Sequence, residues 1–206
     1  RASWLGQTQA DQGAVVFFGD SITQGWGNIS KSFPGLKTAN RGISGDTTRG
    51  MLLRIQDDVL AVKPSCVVLL MGTNDLEESD SVESIAGNVK RIVDTLKAHN
   101  PDLPIIFCKV FPSSASKRRP AEAIKEINAQ VFNAIKGDPQ VTVLDTWTLF
   151  ADANGDAQKK EFPDLLHPNK AGYAKWASAL RPLLATLGLL ENQPTRPLHV
   201  AVVGGA

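Results

Sequence analysis

Ser21, Asp164 and His167 are the residues of this chain whose types and spacing suit nucleophilic chemistry. A serine hydroxyl becomes a nucleophile when a base takes its proton, and the base needs a group that holds its tautomer. The chain has three histidines. His99 stands before Asn100-Pro101, where it reads as a cation at a helix C-terminus, and His199 lies in the C-terminal tail. His167 sits in FPDLLHPN (162–169), a loop in front of the last helical pattern, with Pro168 suited to the first helical position. Asp164 is three residues earlier, so one turn could bring its carboxylate to Nδ1 while Nε2 points back toward Ser21. On this pair alone, a helix cap and an acid–base pair are equally open readings.

Ser21 belongs to VVFFGDSITQGW (15–26), in which four large apolar residues run straight into a glycine, an acid and a hydroxyl. Similar endings recur in NRGISGD (40–46) and GTND (72–75). Glycine lets a backbone turn sharply or approach a ligand, while Ser, Asn and Asp can attack, donate or cap. Each ending alone reads as a βα turn with its cap; together they weaken that reading. The elements that would place them are short buried strands at 14–19, 38–41, 66–72, 105–110 and 141–145, alternating with helical patterns at 48–61, 81–99, 121–136 and 169–187. CVVLLMG (66–72) is apolar at consecutive positions, as expected of a strand covered on both faces. Strands alternating with helices of this length predict an α/β fold with an open, doubly wound parallel sheet, whose ligands bind at the carboxyl ends of the strands.

Other chemistries find less support. The glycines match neither a phosphate loop nor a dinucleotide fingerprint, G-x-S-x-G is missing, and DANGD (152–156) lacks the spacing of a calcium loop. Charged residues are 21% of the chain with a formal net charge of +1, which gives no reason to expect nucleic acid as a partner. The basic cluster Lys117-Arg118-Arg119 beside Pro120 reads as a solvated loop. Cys66 and Cys108 lie inside apolar runs and read as small hydrophobes. No apolar stretch is long enough to cross a bilayer, so no stable membrane insertion is expected. The first residue is Arg1, which fits removal of a leader and export, with a cytoplasmic location as the alternative.

GDSIT (19–23), NRGISGDT (40–47), GTND (72–75) and DLLH (164–167), in that order, resemble the four blocks of the SGNH, or GDSL, hydrolases. The resemblance implies a flavodoxin-like three-layer α/β/α sandwich with a five-stranded parallel sheet, and ester hydrolysis through a serine without metal or cofactor. It implies Ser21 as nucleophile, His167 as base and Asp164 as its orienting acid. It also implies an oxyanion hole from the backbone N–H groups of Ser21 and Gly45 and the side-chain amide of Asn74. Gly45 is chosen over Gly42 because it directly precedes Asp46-Thr47. Within the family the chain looks most like small acetyl- and acyl-esterases, such as platelet-activating-factor acetylhydrolase catalytic subunits and carbohydrate acetylesterases. The expectation is therefore a small-molecule ester with a short acyl group, acetyl foremost. The alternatives are a lysophospholipase or thioesterase for longer chains and a non-catalytic carbohydrate-binding module. Trp26 and Trp147 are candidates for the substrate rim, with helix packing an equal reading for each. One domain is expected over residues 1–190, followed by a tail at 191–206.

Overall fold

Strand β1 (Val15–Gly19) is buried at every residue, as are β3 (Cys66–Leu70) and β4 (Ile105–Cys108), so both faces of the central strands must be covered. In this computed structural model, which describes residues 4 and 6–191, they join β2 (Thr38–Gly42) and β5 (Val141–Leu144) in one parallel sheet of order β2-β1-β3-β4-β5. This is the expected doubly wound α/β sheet; its order reverses between β1 and β3, where such sheets hold their ligands. The expected tail falls, from residue 192 onward, outside the described residues, as does His199.

The helices are α1 (Ser21–Gly25), α2 (Thr48–Asp58), α3 (Thr73–Glu77), α4 (Val82–His99), α5 (Ala121–Ile135), α6 (Thr146–Phe150) and α7 (Lys170–Thr186). Alternation along the strands divides the core into two layers. Val16, Phe18, Val67, Leu69 and Phe107 face α2, α4 and α5 through Met51, Ile55, Val89, Ile92, Ile124 and Val131. Val15, Phe17, Val68, Leu70 and Ile106 face α1 and α7 through Ile22, Trp26, Trp176, Leu180 and Leu184. Asn169, not Pro168, opens α7, because its side-chain Oδ1 accepts the N–H groups of Ala171 and Gly172, at 2.9 and 3.1 Å. Pro168 therefore stands outside the helix, which corrects its expected place.

What positions the site is the common level at which three strands end. Gly19 pairs with Gly42 on one side and Leu70 on the other, so the chain leaves β1, β2 and β3 along one edge. The backbone of α1 presses onto that edge: a Cβ on Gly42 would lie 2.1 Å from the Gln24 backbone nitrogen. A Cβ on Gly19 would lie 2.6 Å from the Leu70 carbonyl oxygen. These neighbours are backbone atoms and cannot rotate away.

Gly42→Ala is accordingly expected to lower folding stability by about 2–3 kcal/mol, the upper part of the range for overpacking. Gly87→Ala, on the open face of α4 with nothing within 4 Å, should raise it by about 0.5–1 kcal/mol. Urea unfolding midpoints test both, and a wild-type midpoint for Gly42→Ala would contradict the close approach.

Candidate active site

Ser21 follows β1 by one residue and is the first residue of α1, so its N–H lies outside the helix's own bonding. Asp20 caps the helix, its Oδ1 accepting the Ile22 N–H at 2.9 Å. From α7, the Tyr173 hydroxyl donates to the Ile22 carbonyl at 2.8 Å and pins this turn. Ser21 Oγ lies 3.0 Å from His167 Nε2. On the other side of the ring, His167 Nδ1 lies 2.7 Å from Asp164 Oδ2. Asp164 Oδ1 accepts the backbone N–H groups of Leu166 and His167 at 3.0 and 2.7 Å, closing the turn that carries both side chains. Leu165 has φ +65°, a left-handed conformation that costs a branched residue energy and is held by its surroundings. Its N–H donates to Phe162 O and its carbonyl accepts from Ser113 Oγ, each at 2.8 Å.

The other residues expected at the site lie at the ends of β2 and β3, the strands that flank β1. The Asp46 N–H donates to Ile43 O at 3.2 Å, a tight turn in which Gly45 takes φ +77°. Asn74 is buried on α3, and its Nδ2 donates to the Asp46 carbonyl at 2.9 Å. The Asn74 side chain thus ties the β3 end to the residue after Gly45. Two buried arginines brace the arrangement. Arg54 donates to Asp46 Oδ2 at 2.6 Å and to the Gly19 carbonyl at 3.0 Å, with its guanidinium 4.5 Å from the centre of the Phe18 ring. Arg119, only 2% exposed, donates to Thr73 O, Thr73 Oγ1 and Asn74 Oδ1, each at 3.0 Å. The solvated-loop reading of the basic cluster thus holds for exposed Arg118 and fails for Arg119.

Residues 17–175 match the GDSL-like Lipase/Acylhydrolase family. The chain belongs to that family. It is 30% identical over 183 residues to platelet-activating factor acetylhydrolase IB subunit alpha1 of Rattus norvegicus, covering 87% of this chain and 78% of the relative. It is 32% identical over 188 residues to the alpha2 subunit of Bos taurus, covering 87% and 79%. Among solved structures, a GDSL-like lipase from Bacteroides thetaiotaomicron shares the fold with a TM-score of 0.79 at 23% identity, over 90% of this chain and 97% of that one. An acetylxylan esterase from Geobacillus stearothermophilus does so at 0.66 and 21%, over 89% and 100%. This GDSL-like acylhydrolase is a carboxylic ester hydrolase by class.

In this GDSL-like chain the two tryptophans each line a different groove. Trp26 is 9% exposed and packs among Phe17, Phe33, Tyr173 and Trp176, with Nε1 donating to Ser32 Oγ at 3.0 Å. One edge of it lines a groove of about 680 Å³ with Asn28, Lys31, Pro168, Asn169 and Tyr173, next in sequence to His167. Trp147 is half-buried on α6 and lines a groove of about 170 Å³ with Lys109, Lys125, Asn128 and Phe132. None of Ser21, Gly45, Asn74, Asp164 or His167 lines either groove, but the larger one is lined by Pro168 and Asn169, which follow His167 in the chain. Cys66 and Cys108 are buried free thiols, both pushed up to about 12 by burial, which suits packing and not nucleophilic attack. Arg54 was readable in principle, since it shares the buried stripe of α2 with Met51 and Ile55. Arg119 gave no such signal: its partners Thr73 and Asn74 lie 46 and 45 residues away.

The two acids beside the nucleophile differ sharply. Burial pushes the Asp164 carboxyl up, but the His167 ring, the two backbone N–H groups and the histidine charge outweigh it and hold it down at about 2. Asp164 is therefore a carboxylate across the neutral range. Asp20 is wholly buried and its Oδ2 has no hydrogen-bond partner among the described residues. Desolvation lifts it from 3.8 to about 7, against the Ile22 N–H and the charges of His167 and Arg119, with Asp46 adding to the rise.

The native state thus keeps a proton on Asp20 that the unfolded chain releases above about pH 4. Stability from this residue is full below that pH and falls as pH rises to about 7, by ~4 kcal/mol at 1.36 kcal/mol per unit. Asp20→Asn should flatten this dependence, and unfolding followed at about pH 4.5 and 8 measures it. An unchanged slope in that variant would show that the proton sits elsewhere.

Proposed function

We propose that the chain hydrolyses carboxylic esters with short acyl groups, acetyl foremost, through Ser21, His167 and Asp164 and an acyl-enzyme. The observation that carries this reading is the unbroken line Ser21 Oγ, His167 Nε2 at 3.0 Å, and His167 Nδ1, Asp164 Oδ2 at 2.7 Å. As Ser21 Oγ attacks the carbonyl carbon, His167 Nε2 takes its proton, and Asp164, bound to Nδ1–H, stabilises the imidazolium. The tetrahedral oxyanion accepts from the N–H groups of Ser21 and Gly45 and from Asn74 Nδ2. The intermediate collapses, and His167 returns the proton to the departing alcohol. Water then gives its proton to His167 as its oxygen attacks the acyl carbon, and the acid leaves with Ser21 restored. The side chains of His167 and Asp164 are 42% and 44% exposed, which gives this water an open approach.

The acyl preference draws on the relatives, which are named acetylhydrolases, and on the acetylxylan esterase that shares the fold. The groove lined by Pro168 and Asn169, which follow His167 in the chain, presents Asn28 and Lys31 for the alcohol portion, a lining suited to a polar alcohol such as a sugar.

Ser21→Ala should lower kcat on a nitrophenyl acetate at least ~10⁴-fold while the protein stays folded, and Asp164→Asn should lower it by ~10²–10⁴-fold. Wild-type turnover by folded Ser21→Ala would refute the assignment. Across nitrophenyl esters of increasing chain length, kcat/KM should peak at acetyl or propionyl. A peak at octanoyl or longer would instead make it a lysophospholipase or thioesterase.

A further inference from the structure

We infer that Arg119 is a positioning residue of the oxyanion hole, fixing the orientation of the Asn74 amide and raising its strength as a donor. This rests on the proposed role of Asn74 and adds a residue outside the family's blocks.

The Asn74 amide has two partners of opposite character. Its Nδ2 meets the Asp46 carbonyl at 2.9 Å, which only accepts, and its Oδ1 meets the Arg119 guanidinium at 3.0 Å, which only donates. Turning the amide over would set oxygen against oxygen and N–H against N–H. The plane and sense of the amide are therefore set by both, and one Nδ2 hydrogen is left with a fixed direction. Without Arg119, only the Asp46 carbonyl holds that orientation.

Arg119 is itself held rigidly. Nε bonds Thr73 O and Oγ1 at 3.0 Å, Nη1 bonds the Lys117 carbonyl at 2.7 Å, and Nη2 pairs with Glu77 at 2.7 Å. The Glu77 side chain is 47% exposed while that of Arg119 is 3% exposed, so water weakens the counter-charge more than the cation. The field reaches the nucleophile's neighbourhood, since Arg119 is among the charges drawing the Asp20 proton off. A cation bound to an amide oxygen polarises the amide and strengthens its N–H groups as donors. That gain is largest when the acceptor carries the negative charge of the tetrahedral intermediate.

The test is a double-substitution cycle on nitrophenyl acetate. Asn74→Ala should cost ~10²–10³-fold in kcat. Arg119→Met should cost ~10–100-fold in kcat with KM within about twofold, and in the Asn74→Ala background it should cost less than about twofold more. Arg119→Lys keeps a charge but cannot span Thr73 and Asn74 together, so it should lie between wild type and Arg119→Met. It carries the same cycle if Arg119→Met does not fold. Arg118→Ala, next in the chain and exposed, should keep wild-type kcat. Full kcat in folded Arg119 variants, a loss confined to KM, or independent losses in the cycle would overturn the inference. A harmless Asn74→Ala would instead overturn the oxyanion-hole reading on which it rests.

Discussion

The close seating of α1 on the carboxyl edge of the sheet is the constraint on which the rest depends. A side chain at residue 42 would collide with the backbone of α1 at Gln24, and one at residue 19 with the Thr23 side chain of α1 and the Leu70 carbonyl of β3, so either would hold the helix off the strands. With hydrogen in those places, the chain turns from β1 into α1 within one residue, and Ser21 stands directly above the end of β1. The same edge carries the loop after β2 and the start of α3 after β3. Three loops distant in sequence then share one small volume because their strands end at one level. The geometry around the serine is a consequence of sheet register before it is one of side-chain chemistry.

Two buried guanidinium groups convert that shared volume into a fixed one. Each finds backbone carbonyls as well as carboxylates, Arg54 at Gly19 and Asp46, Arg119 at Thr73, Lys117 and Glu77. A buried cation whose donors are all met can be tolerated, whereas an unmet one costs several kcal/mol. Arginine suits both places because its donors form a rigid planar fork that spans two segments at once. Asp75 acts similarly with the opposite charge, accepting the Thr48 N–H and hydroxyl and so joining the start of α2 to α3. Polar bonds between loops do here what apolar packing does beneath the sheet.

Much of this was legible in the sequence because the signals were local. The consecutive apolar run at 66–70 announced a strand covered on both faces, and each of its residues is buried. Asp164 and His167 stand three apart, and a tight turn does bring them to 2.7 Å. What escaped had a long-range cause in one place and a local competitor in another. Nothing near Arg119 in sequence shows that Thr73 and Asn74 are its partners, and a run of three basic residues ordinarily means solvent. Pro168 fits the first helical position, but the neighbouring asparagine captured two N–H groups and the helix starts two residues later, at Lys170.

The Asp164–His167 pair closes over three residues, whereas the serine it faces is 146 residues away. The acid and base are local partners, while the turn that carries the serine is held against α7 by the Tyr173 hydroxyl on the Ile22 carbonyl and by Trp176 against Trp26. A contact between near neighbours in sequence and a contact across most of the described chain thus meet at a single imidazole ring.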